Sequence, residues 1–309
     1  VRLSSDKMRG DGDRRGGGRP ADFLARTLPR TVLSAAQNAD EARTAVLVRA
    51  ELRRWRLLQL EPSALRQPDD LQAPSALTTE GRHLPATLYR LAGDDPDPVY
   101  ADIANRLSEL VNNVRGLRVD RDDARRVLRL VMTDASGVEL PASSLSDGTL
   151  RFIALSVLEK DPTATGLLCL EEPENGIHPE RMGAMMRLLG DMVVETYGPI
   201  GDGNPLRQVI ISTHSPVVAA RAQHDQLVFA DHRDAPKQGD RPRRSLVIRP
   251  VAGTWRDEGR VAPLSRGDII RFLGALQPGE AEASQATSTI YDVATSGGVQ
   301  LRLFPGAAP

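Results

Sequence analysis

Three short stretches of this chain combine residue types and spacings that could do chemistry. The first is Leu167-Leu168-Cys169-Leu170-Glu171-Glu172-Pro173-Glu174, an apolar run ending in two adjacent carboxylates. A short apolar run of this kind reads as a buried strand, and open α/β folds bind ligands at the carboxyl ends of their strands. Successive strand side chains point to opposite faces, so the two acids cannot share one task. One can hold a hydrated Mg²⁺ by charge and oxygen ligation, and the other can orient and deprotonate a water. The competing reading is a solvated strand end before a proline turn.

The second stretch is Leu145-Ser146-Asp147-Gly148-Thr149-Leu150-Arg151, directly before a helical pattern. Ser146 suits an N-cap, and Gly148 lets a ligand approach the backbone closely. Free N–H groups at a helix start favour a phosphate, although an ordinary cap has the same appearance. The third is Val209-Ile210-Ile211-Ser212-Thr213-His214-Ser215-Pro216, where an apolar strand delivers His214 to the same sheet edge. A lone histidine also has a structural reading.

The elements that must position these groups follow from periodicity. Trp55 to Leu60 reads as a short strand, and Thr79 to Leu91 and Val99 to Val114 as helices. Leu117 to Val119 and Arg126 to Met132 read as strands, with a turn at Ser136–Gly137. Gly148 to Glu159 and Pro179 to Glu195 are helical patterns, and Gly166 to Leu170, Gln208 to Ser212, Leu227 to Ala230 and Leu246 to Ile248 are strands. Ser265 to Leu276 closes the series as a short helix. Apolar strands alternating with amphipathic helices predict an α/β fold with a mostly parallel sheet flanked by helices. The expected organisation is a flexible Gly/Arg leader over 1–20, a helical and mixed region over 21–125, a core carrying the three motifs over 126–235, and an extension with a partly mobile tail over 236–309.

The 309 residues are 40% apolar and 26% charged, a globular composition with enough chain for a sizeable core. A formal net charge of −1 removes a global basic footprint for nucleic acid. Apolar runs are too short for a membrane span, and no secretory signal is visible, so a cytoplasmic location is expected. The single Cys169 excludes an intramolecular disulfide and a multi-cysteine metal site. It reads as a buried small hydrophobe, and Met182, Met185 and Met186 read as core. The clusters Arg53-Arg54-Arg56 and Arg241-Arg243-Arg244 read as solvated faces.

Taken together, the order of the three motifs resembles the ATP-binding-cassette type of P-loop ATPase, in the branch that includes RecF-like, structural-maintenance-like and overcoming-lysogenization-like proteins. It is similar to bacterial AAA family ATPases carrying a Glu-Glu-Pro-Glu-Asn-Gly-(Ile/Leu)-His-Pro stretch, which stands complete at Glu171 to Pro179. The resemblance covers roughly residues 20–235 and is strongest over 143–217. It implies a P-loop NTPase-like fold and Mg²⁺-dependent hydrolysis of ATP, used as a conformational switch. By the same resemblance Glu171 is the Mg²⁺-associated acid, Glu172 the general base, and His214 the switch that senses the γ-phosphate. Ser146, Asp147 and Gly148 form the signature loop, and Asn175 to His178 the loop that crosses to an opposing subunit. ATP sandwiched in a homodimer is therefore expected, with a nuclease or other effector and DNA as partners, in DNA maintenance or phage defence.

One departure stands out. The family's phosphate loop requires Gly-Lys-Ser/Thr, and no Gly-Lys pair occurs here. With Val1 in place of Met, the expectation is a chain lacking the family's N-terminal segment. In the family sheet the strand leading into that loop lies between the strand ending at His214 and the strand 227–230. A chain without it should bind Mg-ATP weakly and be poorly soluble unless another segment fills the gap. The alternative is a degenerate, non-hydrolysing module that binds a partner.

Overall fold

The residues carrying the three motifs lie in one structural unit, Arg56–Pro309, and the leader lies in another, Val1–Trp55. The computed structural model describes residues 2–4, 20–22, 32–35, 39–238, 241–275 and 299–303. In the first unit Arg2–Ser4 (β1) pairs antiparallel with Pro20–Asp22 (β2), and Val32–Ala35 (α1) and Ala39–Leu52 (α2) are helical. The leader expected to be flexible falls mostly on residues outside this description.

The second unit runs Arg56–Leu58 (β3), Pro62–Leu65 (α3), Asp69–Asp70 (β4), Leu84–Ala92 (α4), Pro96–Ser108 (α5), Val114–Asp122 (β5), Val127–Asp134 (β6) and Glu139–Pro141 (β7). It continues with Asp147–Lys160 (α6), Gly166–Glu171 (β8), Met182–Asp191 (α7), Arg207–Thr213 (β9), Pro216–Arg221 (α8), Leu227–Gln238 (β10), Arg241–Pro250 (β11), Arg266–Ala275 (α9) and Val299–Leu303 (β12). Local chemistry sets several boundaries. The helix expected from Thr79 starts only at Leu84, because His83 takes a left-handed backbone at the N-cap. The helix expected over Pro179 to Glu195 divides into a 3-10 turn, Pro179–Arg181, and α7.

The main sheet has the order β11-β10-β12-β9-β8-β3, and β4, β5, β6 and β7 form a second, antiparallel sheet. β3, β8 and β9 pair in parallel, while β12 is antiparallel to both β9 and β10. β10 therefore runs in the same direction as β9, and four of the six strands share one direction. β12 reverses that direction in the middle of the sheet. It occupies the gap between the strand ending at His214 and the strand starting at Leu227, so a segment from the tail fills the position expected to be empty. Residues 276–298 and 304–309, the rest of the tail expected to be partly mobile, lie outside the described residues.

A helix that is apolar all round must be buried all round. α6 meets that condition: Leu150, Phe152, Ile153, Leu155, Val157 and Leu158 are fully buried. It packs against α3, α4, α5 and α7. Met182 and Met185 are core residues and Met186 packs against them, as expected. Cys169 is only half-buried, because its strand position faces outward from the layer that holds Leu168 and Leu170; burial still pushes its thiol pKa up. Among the described residues no helix is long and apolar enough to cross a membrane.

Arg207 is a buried cation that periodicity does not announce. It is 1% exposed, and its guanidinium donates to the carbonyls of Ala164, Glu159 and Asp161. These carbonyls lie at the end of α6 and in the turn into β8, and that of Asp161 also accepts from the Ala164 N–H at 3.1 Å. Burial pulls the guanidinium pKa down, against the nearby charges of Glu159 and Asp161. Arg207→Met removes the donors and leaves the Glu159 and Ala164 carbonyls dry, so we expect a loss of about 3 kcal/mol in urea unfolding. An unchanged midpoint would show that water replaces the guanidinium.

Candidate functional site

Parallel register places the catalytic-type residues side by side. Leu58 sits opposite Leu170, and Glu171 opposite Ser212, so β3, β8 and β9 end at one edge. That edge carries Gln59, then Glu171 and Glu172, then Thr213 and His214. It is the carboxyl edge, where the sequence placed the two acids and the histidine.

Glu171 ends β8 and accepts a hydrogen bond from Gln59 Nε2 at 3.1 Å. Glu172 has already left the strand. Its N–H donates to the Ser212 carbonyl at 2.9 Å, and its φ of +43° is one a non-glycine residue rarely adopts. Such strain persists only where the surroundings hold it, and it falls where the chain turns out of β8. Asn175 Nδ2 donates to Glu172 Oε2 at 2.6 Å, and His214 Nε2 lies 3.9 Å from Glu172 Oε1. The two acids thus have different partners, as strand alternation implied, although the divergence comes from the turn.

Two cavities flank Glu172. One, of about 290 Å³, is lined by Gln59, Glu61, Arg151, Glu171, Glu172 and Asn175 over an apolar floor of Leu58, Leu155 and Leu170. The other, of about 330 Å³, lies on the far side, between Glu172, Glu174, His214 and Ser215. Oxygen donors suited to a hard divalent cation sit at the first cavity: the Glu171 carboxylate and the amide of Gln59. Among the described residues no group of three or more His, Cys, Asp or Glu side chains is arranged to hold a metal by itself. A cation here would depend on water and ligand oxygens as well, which is how Mg²⁺ is usually held.

The start of α6 is built as the sequence suggested. Ser146 is the N-cap and accepts from Thr149 N, and its hydroxyl also pairs with Thr149 Oγ1 at 2.7 Å. Asp147 pairs with Arg66 at 2.6 Å, and Arg66 also donates to the Leu145 carbonyl. Neither Ser146 nor Asp147 is among the residues lining the two cavities. What joins this loop to the acid cluster is Gly148. A Cβ at Gly148 would lie 2.3 Å from the Gly176 carbonyl oxygen, closer than any real contact. Gly176 itself has φ +82°. Gly148→Ala should therefore separate the two loops or destabilise the protein by about 1–3 kcal/mol. Thermal unfolding with limited proteolysis of the 172–178 loop reads both outcomes; wild-type behaviour in both would show that the contact is slack.

His178 is exposed and engaged locally, its Nδ1 accepting from Glu180 N at 3.4 Å at the head of the 3-10 turn. His83 pairs with Asp69 at 2.9 Å, and His224 with the Ala252 carbonyl at 3.0 Å, both structural contacts.

Sequence reading passed over Gln59, Arg151 and Thr213. Arg151 Nη1 donates to the Asn175 carbonyl and its Nε to the Leu60 carbonyl, tying α6 to the ends of β3 and β8. Gln59 had one signal available, its position at the end of a short apolar strand, but its neighbour is chosen by sheet order.

Comparison with known proteins bears on the same segment. Residues 132–220 match the family described as "AAA domain, putative AbiEii toxin, Type IV TA system". No curated protein matches the chain. Among solved structures, an Smc head domain with a coiled coil and joint derived from Pyrococcus yayanosii has 11% identity, covering 57% of this chain, with a TM-score of 0.34. The chain spans 28% of that protein's length. A second, from work on ATP-driven dimerization and DNA-stimulated activation of SMC ATPases, has 11% identity over 48% of this chain and 81% of its own, with a TM-score of 0.31. The matching residues 132–220, similar to an AAA domain, are the segment of this α/β fold that holds Glu171, Glu172, His214 and the Ser146 loop.

Proposed function

We propose that this chain provides the hydrolytic and signature portion of a Mg²⁺-dependent ATPase that works as a conformational switch. The observation that carries the reading is the convergence of Glu171, Glu172 and His214 at one sheet edge, with the Ser146 loop locked to the following turn through Gly148 and Gly176. Glu171, with Gln59, would hold the cation. Glu172, free of Glu171 and oriented by Asn175, would accept the proton of the attacking water. His214 would face the terminal phosphate from beside Glu172. When bound, Mg²⁺ would neutralise charge on the phosphates.

Ser146 and Asp147 line neither cavity, which supports a role on the nucleotide of a second copy of the chain. Asn175 to His178, largely exposed, would belong to the same homodimer surface. ATP should then promote self-association where ADP does not, and Ser146→Arg should abolish it. Light scattering with each nucleotide, under conditions where ATP is bound, reads this; one mass throughout would remove the sandwich. A cytoplasmic setting and a nuclease or other effector partner belong to the same proposal. DNA maintenance or phage defence is the setting of the same proposal, and the matched family's description names a putative toxin of a type IV TA system.

The 309 residues contain no Gly-Lys pair, so a P-loop lysine of these residues does not meet the phosphates. That favours a second reading, a non-hydrolysing interaction module whose sheet β12 completes. Calorimetric titration of the 309-residue chain with Mg-ATP, alongside phosphate release, separates the two. We expect weak binding and negligible turnover for this chain alone; micromolar affinity would show that other groups, Arg151 among them, replace the lysine.

A further inference from the structure

Glu174 is one of the few buried charged-type side chains, 7% exposed, and no role above uses it. Its Oε1 accepts a hydrogen bond from Thr213 Oγ1, and among the described residues its buried Oε2 has no partner. Thr213 is fully buried, and its Oγ1 in turn accepts from the Ser215 N–H at 2.9 Å. Ser215 caps α8 by accepting from Val218 N. The chain of bonds therefore fixes the residue before His214 and the residue after it, and it ends on Glu174. Two residues before Glu174 stands Glu172, whose carboxylate lies 3.9 Å from His214 Nε2.

We propose that Glu174 is a positioning residue that sets the His214 imidazole against the Glu172 carboxylate, acting through the Thr213 hydrogen bond and not through charge. Hydrogen bonds in series polarise one another in a dry site, so a link this deep is stiff. An ionised Glu174 would leave a charged oxygen dry, which is costly, so a neutral carboxyl suits this site better. Burial, the main influence on this carboxyl, pushes its pKa above the usual carboxylate range in agreement with that geometry. An amide of the same shape can accept from Thr213 equally well, so Glu174→Gln should preserve the arrangement. Glu174→Ala removes the acceptor and should release the β9–α8 corner.

The proposal deepens the reading of His214 given above, and its test reads geometry without turnover, so it can fail while that reading stands. In the full chain labelled at histidine, the imidazole carbon–proton signal of His214 is identified by its loss in His214→Gln. Glu172→Gln should shift this signal in the wild-type and Glu174→Gln backgrounds, and the shift should be lost in the Glu174→Ala background. An equal shift in all three overturns the proposal, as does its loss in Glu174→Gln, which would make charge the agent. If Glu174→Ala does not fold by circular dichroism, Thr213→Val against Thr213→Ser makes the same comparison from the other end of the bond. Failure of Glu174→Ala and Thr213→Val alike to fold would assign the pair to the core and overturn it too.

Discussion

Deleting residues 299–309 should make the chain aggregate. β12 contributes five register pairs to β9 and three to β10, and it is what connects them in the sheet. Without it the sheet divides into β11-β10 and β9-β8-β3. The facing edges, Val209–Thr213 and Leu227–Phe229, keep fully buried residues such as Val209, Ile211 and Leu227 but lose their backbone partners. A buried unpaired backbone group costs about 1–3 kcal/mol, and several at once exceed a typical stability of about 5–15 kcal/mol. Edges left open in this way pair with other chains. Size-exclusion chromatography with light scattering compares the parent and the deletion. An identical, monodisperse elution would show that β12 is not needed to close the sheet.

The second large effect concerns Glu172. In any form of this protein that hydrolyses ATP, Glu172→Gln should cut turnover by about 10²–10⁴-fold, the usual contribution of a positioned base, while leaving nucleotide binding intact. Glutamine keeps the hydrogen bond to Asn175 and the shape of the turn but cannot take the proton. The variant should accumulate with ATP bound. His214→Ala should slow turnover less, since His214 Nε2 stands 3.9 Å from Glu172 with half its side chain in solvent. Parallel measurements of phosphate release and ATP affinity separate these effects. Phosphate release at the parental rate from Glu172→Gln would remove the base role, and a loss of affinity with turnover would assign Glu172 to binding.

The tail strand and the acid cluster are linked through β9. It carries Thr213 and His214 at its end, pairs with β8 on one side and holds β12 on the other. A change that frees β12 should therefore reach the His214 corner, whereas one in the second sheet should not. The two loops at the acid edge are tied by different means: Gly148 against Gly176 by close backbone approach, and Glu174 to Thr213 by a buried hydrogen bond.

What the sequence determined by itself is local. The apolar run before Glu171, the serine cap of α6, the apolar β9 and the order of the three motifs are written in consecutive residues, because strand burial, capping and turn chemistry act over a few positions. Those features were enough to name Glu171, Glu172, His214 and the Ser146 loop. The tertiary structure decided which distant residues meet them. Gln59 reaches Glu171 across 112 positions, Glu174 reaches Thr213 across 39, and Arg207 caps α6 across 46. Each contact depends on sheet order and register, which are fixed only when non-local strands pair and the core closes. The same holds for β12. Nothing in residues 299–303 singles out a central strand; the unfilled pairing edges of β9 and β10, two segments apart in the chain but parallel in space, create the position that it takes.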